Sequence, residues 1–171
     1  MQTLQWAFTD RKGWGDGPWD AEVCDKIQWQ DPLTGLPCLA KRGPVGSWCG
    51  YIGVTPGHPF YGCDYGDCPI GCGAERWDCQ HMPEAVLSVH GGITFSGPCQ
   101  EDREHGICHT PDAGEPTEVW WLGWDTAHAG DSCPAMPGIP GDVYRTLAYV
   151  QEECARLARQ LCNIGGKRNS Y

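Results

Sequence analysis

The sequence predicts an α+β protein: a mostly antiparallel β-sheet with long Gly-, Pro- and Cys-rich loops and one C-terminal amphipathic helix packed on the sheet. Three observations predict it. Residues 26–30 and 36–41 form two strand-like runs around turn chemistry. Gly (24) and Pro (14) are abundant enough to make much of the chain turn and irregular loop. The one sustained helical apolar period lies near the C-terminal end, at residues 142–162. A length of 171 residues suits a single domain, 1–171, with a real core and a Cys-rich loop insertion at 63–81.

Leu4 to Phe8 is a short strand candidate, followed by a Gly-rich loop carrying Trp14 and Trp19. Lys26-Ile27-Gln28-Trp29-Gln30 alternates with period two, Asp31-Pro32-Leu33-Thr34-Gly35 turns, and Leu36 to Lys41 runs back as a hairpin. Ser47 to Val54 is a third strand, rich enough in Gly for a backbone or ligand to approach closely. Ala85 to His90 and Ile93 to Phe95 are further strand candidates around Gly91-Gly92. Val119 to Trp124 is an aromatic, buried-looking strand. In the helix of 142–162, Asp142 can cap the N-terminus, and Val143, Leu147, Val150, Cys154, Leu157 and Leu161 fall on one apolar face.

A formal charge of −10 disfavours sequence-independent nucleic-acid binding, which needs a basic stripe. No apolar run is long enough to span a bilayer, and Met1-Gln2-Thr3-Leu4-Gln5-Trp6 has no signal-peptide form. The expectation is a cytoplasmic chain whose 12 Cys are thiols or metal ligands rather than a disulfide framework.

Four constellations can carry chemistry. Asp125, His128 and Asp131, spaced three apart after the aromatic strand, suit a metal or a general-base pair. Taken alone, they read equally well as turn residues and a surface histidine. His90, at a strand end before two glycines, joins them if the two strand ends adjoin. Cys63, Cys68, Cys72, Cys79 and His81 suit a structural zinc site; the alternatives are free thiols, or disulfides among themselves or with Cys99 or Cys108. Cys49, flanked by Gly, becomes a nucleophile if a nearby His lowers its pKa, and is otherwise a buried thiol. No P-loop, G-x-G-x-x-G, H-E-x-x-H or G-x-S-x-G motif occurs.

Phe8-Thr9-Asp10-Arg11-Lys12-Gly13-Trp14-Gly15-Asp16-Gly17-Pro18-Trp19, Cys49 to Val54, Gly57-His58-Pro59, Val89 to Phe95, Gly106 to His109, Trp120 to Asp131 and Tyr144 to Val150 lie in ordered blocks. Together they resemble a family of small proteins encoded by tailed bacteriophages and prophages. The resemblance implies an accessory protein at work in the bacterial cytoplasm, altering host metabolism or countering host defence. It carries no catalytic residue across.

Three functions follow as expectations. One is a small hydrolase, metal-dependent or not, of a nucleotide-like or other small polar molecule, using His90, Asp125, His128 and Asp131, or Cys49. Another is a non-catalytic binder of a host small molecule or host protein, with Trp14, Trp19, Trp124 and His58 as contacts. The third is a structural or virion-associated role.

Overall fold

The computed structural model describes residues 1–69, 72–73, 78–100 and 102–166. The predicted α+β architecture is what it shows. Six antiparallel strands, β1 (Leu4–Trp6), β2 (Lys26–Gln30), β3 (Pro37–Arg42), β4 (Trp48–Val54), β5 (Phe95–Pro98) and β6 (Trp120–Asp125), lie in the order β1-β2-β3-β4-β6-β5. A 3-10 turn spans Pro18–Ala21, a short helix α1 spans Pro83–Val86, and the long helix α2 spans Leu147–Gly166. No helix among the described residues is long and apolar enough to cross a membrane.

The hairpin forms as its alternation predicts, Lys26 facing Lys41 and Gln30 facing Pro37. Its turn is tied by the Asp31 carboxylate, which accepts from the Leu33 and Thr34 amides and the Thr34 hydroxyl.

Both sheet faces are covered. On one, Ile27, Ala40, Trp48, Ile52, Leu122 and Trp124 pack with Val150, Cys154, Leu157 and Leu161 of α2. On the other, Leu39, Tyr51 and Trp121 pack with Ile107 and Val119 from the long connection before β6. The glycines of β4 and β6 make the aromatic packing possible. Gly50 faces Trp124 and Gly123 faces Tyr51 across the ladder, and a Cβ at either glycine would fall within 2.4 Å of the partner's ring. What approaches the Gly-rich strand closely is therefore an indole, not a ligand.

Three expected elements differ. Residues 85–90 do not form a strand: Pro83 starts α1, and the chain then runs outside the sheet to His90. The strand expected at 93–95 begins at Phe95 instead and runs to Pro98. The C-terminal helix starts at Leu147, not Asp142. Val143 bridges in parallel to Asp131, its amide donating to Gly130 O at 2.9 Å and its carbonyl accepting from the Ser132 amide at 3.1 Å. Those bonds hold it extended and half-exposed, off the apolar stripe. The N-cap is Thr146, whose Oγ1 accepts from the Tyr149 amide at 3.3 Å.

Glu22, unremarked in the sequence, fixes the helix start to the sheet. Its Oε1 accepts from the Leu147 amide, and its Oε2 from Arg42, Trp48 Nε1 and the Tyr144 hydroxyl, all at 2.6–2.9 Å.

Candidate functional site

The C-terminal end of β6 and the first turn of α2 converge on one polar cluster. Asp131 is its centre, with a side chain only 2% exposed. Its Oδ2 lies 2.7 Å from His90 Nε2 and accepts from the His128 amide at 3.2 Å; its Oδ1 accepts from Arg145 Nε at 2.8 Å. Burial pushes the Asp131 carboxyl up, but hydrogen bonds from Arg145, His90 and the His128 backbone outweigh it and leave the group below its ordinary value.

A carboxylate only accepts, so His90 Nε2 carries the proton. In the neutral ring the lone pair then sits on Nδ1, 3.0 Å from the Tyr149 hydroxyl. The His90 amide donates to Glu153 Oε2 at 3.0 Å, which orients the ring from the backbone side. Gly91 (φ +69) and Gly92 (φ +88) turn the chain away after it, in a conformation only glycine adopts without strain.

Of the four polar residues expected together, His90 and Asp131 pair directly, and Asp125 and His128 form a looser neighbouring pair. His128 Nε2 is 3.6 Å from Asp125 Oδ1, and the His90 and His128 ring centres are 5.8 Å apart. Asp125 accepts from Thr94 Oγ1 and the Ala127 amide. His128 is wedged over Gly91, where a Cβ would overlap its ring. The ligand atoms of these four residues do not form a metal-holding group; among the described residues, the sets that converge are Cys68, Cys72, Cys79 and Cys99, Cys108, His109. Each imidazole of the cluster lies beside a carboxylate, an arrangement that can hold and move a proton.

Two open pockets flank it. One, of about 320 Å³, is lined by Ser88, Val89, His90, Tyr149, Glu153, Arg156 and Gln160. The other, of about 400 Å³, lies beyond His128 and Asp131 and is edged by the exposed Met136 and Ile139.

Other expected contacts fall elsewhere. Trp124 is 1% exposed, with its ring over Gly50, and is core rather than a ligand anchor. His58 is committed to α2: its Nδ1 accepts from the Phe60 amide, so its Nε2 donates to Leu161 O at 3.0 Å. Trp14 is flanked by the guanidinium groups of Arg11 and Arg42, and Trp19 packs edge-on to Tyr144. Both Trp rings tie down the first loop. Cys49 lies opposite Asp125 in the ladder, and burial pushes its thiol up to about 11, the opposite of an activated nucleophile.

In the Cys-rich loop, of which residues 70–71 and 74–77 lie outside the described set, Cys68, Cys72 and Cys79 converge and can hold a metal. Cys72 Sγ is 3.5 Å from Cys79 Sγ and 3.3 Å from His81 Nδ1. Burial opposes ionisation of Cys79, but hydrogen bonds from Cys68, the His81 backbone and Cys72 outweigh it. Cys68, donating to that sulfur, is pushed up to about 12. Cys63 stands apart, its thiol donating to Asp64 O and Asp67 O. Cys99 and Cys108 are joined as a disulfide, one exception to the expected set of reduced thiols.

Comparison of the chain with protein-family models, with curated proteins and with solved structures returns no match.

Proposed function

We propose that the protein is a small hydrolase in which His90, held by Asp131, is the general base and acid. Its substrate is a small polar molecule seated in the pocket between Val89–His90 and the first half of α2. The carrying observation is the hydrogen-bonded chain Asp131–His90–Tyr149, whose far end opens on that pocket. A buried carboxylate that fixes the tautomer of an imidazole is what a general base needs, and such a base contributes about 10²–10⁴-fold to rate. The phage resemblance supports an accessory role in the host cytoplasm, with a host metabolite or signalling molecule as substrate.

The test is turnover across a panel of p-nitrophenyl esters and phosphoesters. Replacing His90 by Gln should lower it by about 10²-fold or more with the fold intact. Undiminished turnover in that variant would remove His90 from the mechanism.

We assign zinc to the Cys-rich loop, with Cys68, Cys72, Cys79 and His81 as its ligands. Three thiols and an imidazole match the composition of structural zinc sites, and four protein ligands leave no open position for chemistry.

The second pocket favours a further reading, a binding surface for a host protein. Met136, Ile139 and Val143 are each at least half exposed near it, beside the polar His128 and Asp131. A stable complex formed equally well by the His90→Gln variant would support binding without chemistry.

A further inference from the structure

We propose that Tyr149 is the attacking nucleophile of this centre and that its substrate is a small phosphodiester; the proposal rests on the acid–base reading of His90. Tyr149 lies on α2, three residues after the N-cap Thr146, so a helix and not a loop sets its position. Its ring stands edge-on to His90 with centres 5.6 Å apart, and its hydroxyl reaches His90 Nδ1 at 3.0 Å. Carboxylate, imidazole and hydroxyl therefore follow in the order that activates an oxygen nucleophile.

The charges around the hydroxyl select the substrate. The Arg145 guanidinium carbon lies 5.1 Å from the centre of the Tyr149 ring. Among the described residues its hydrogen bond is through Nε, to Asp131, so both terminal nitrogens retain donors there. Arg156 lines the pocket beside Tyr149 directly, together with its partner Glu153, and its side chain remains 61% exposed. Guanidinium forks match the paired oxygens of a phosphoryl group, whereas a neutral carboxylic ester would leave them unused. The formal charge of −10 disfavours a long polyanion, so the diester is a small one.

The step balances without a further cofactor. The Tyr149 hydroxyl passes its proton to His90 Nδ1 as Oη bonds to phosphorus and one P–O ester bond breaks. The departing alkoxide takes the proton from Nδ1 and leaves as an alcohol. Water then attacks the tyrosyl phosphodiester, its proton going to Nδ1 and from there to the released Tyr149 oxygen, giving a phosphomonoester and the free enzyme.

The experiment uses the full chain with bis(p-nitrophenyl) phosphate, and p-nitrophenyl acetate for comparison. Expected are release of p-nitrophenol from the diester, a quenched adduct one p-nitrophenylphosphoryl group heavier that maps to Tyr149, and loss of about a hundredfold or more in turnover in Tyr149→Phe. Because Arg145 also holds Asp131, Arg145→Gln should slow both reactions, but it should raise KM for the diester by a larger factor than KM for the acetate. An equal change for the two substrates would overturn its role in selecting a phosphodiester. Turnover lost in His90→Gln but retained in Tyr149→Phe would overturn the nucleophile and leave the acid–base reading standing. Hydrolysis of the acetate alone would overturn the substrate class. No diester turnover and no adduct would overturn the proposal outright.

Discussion

His90 Nε2 and Asp131 Oδ2 stand 2.7 Å apart although 41 residues separate them in the chain. The contact joins the loop after α1 to the turn after β6, and Arg145 closes it from the segment leading into α2. Three connections thus share one buried carboxylate.

Asp131→Asn tests that carboxylate. The amide cannot accept from His90, Arg145 and the His128 backbone together, so a loss of about 2–3 kcal/mol in urea-unfolding stability is expected. Since the folded carboxyl titrates below its ordinary value of 3.8, its contribution is present above that pH and disappears as pH falls through the lower folded value. Wild type should therefore lose its advantage over the Asn variant below about pH 4. A constant difference from pH 7 to pH 3 would show that the charge is not what stabilises.

Glu22 predicts a separate loss. Glu22→Gln turns two acceptor oxygens into one acceptor and one donor, which faces Arg42, Trp48 or the Leu147 amide with the wrong polarity. About 2–3 kcal/mol should be lost. Hydrogen exchange should speed up first at residues 147–150, and protection there equal to wild type would show that Thr146 caps the helix by itself.

How much of this was legible in the sequence divides by range. The hairpin of β2 and β3 announces itself through period two and Asp31, and the stripe Val150, Cys154, Leu157, Leu161 through helical period, because both are local patterns. Trp124 misled: three aromatic residues beside polar ones suggest a site, while the Gly50 that receives its ring lies 74 residues earlier. Asp125, His128 and Asp131 were visible by spacing and His90 by its glycines. Tyr149 and Arg145 read as ordinary helix or loop residues until the fold brought them to the site, and Glu22 as a loop residue until the fold set it against the start of α2.

The zinc assignment predicts its own ligand set. As purified, the protein should carry one zinc per chain by elemental analysis. Cys72→Ser should lose it and Cys63→Ser should keep it, since Cys63 donates to backbone carbonyls instead. Chelation should loosen residues 63–69 and 78–81 by hydrogen exchange while β2 to β4 stay protected. Zinc lost equally from both variants would return Cys63 to the ligand set.

Lys26 gives a prediction of opposite pH sense. It is buried beneath the long connection, its ammonium over the Trp6 ring and donating to Arg103 O and Gly106 O. Burial, with Lys41 facing it across the ladder, pushes its pKa down from 10.5 to about 8. Between those values the unfolded chain holds a proton that the folded chain has released, so stability rises with pH across the window. The gain is at most about 3 kcal/mol. Lys26→Met lacks the titration and should show no such rise, while every thiol and tyrosine is common to both proteins and cancels in the comparison. Urea unfolding at pH 7.5 and pH 10 measures the difference. Parallel changes in the two proteins would mean that the carbonyls of Arg103 and Gly106 fully offset the desolvation of the charge.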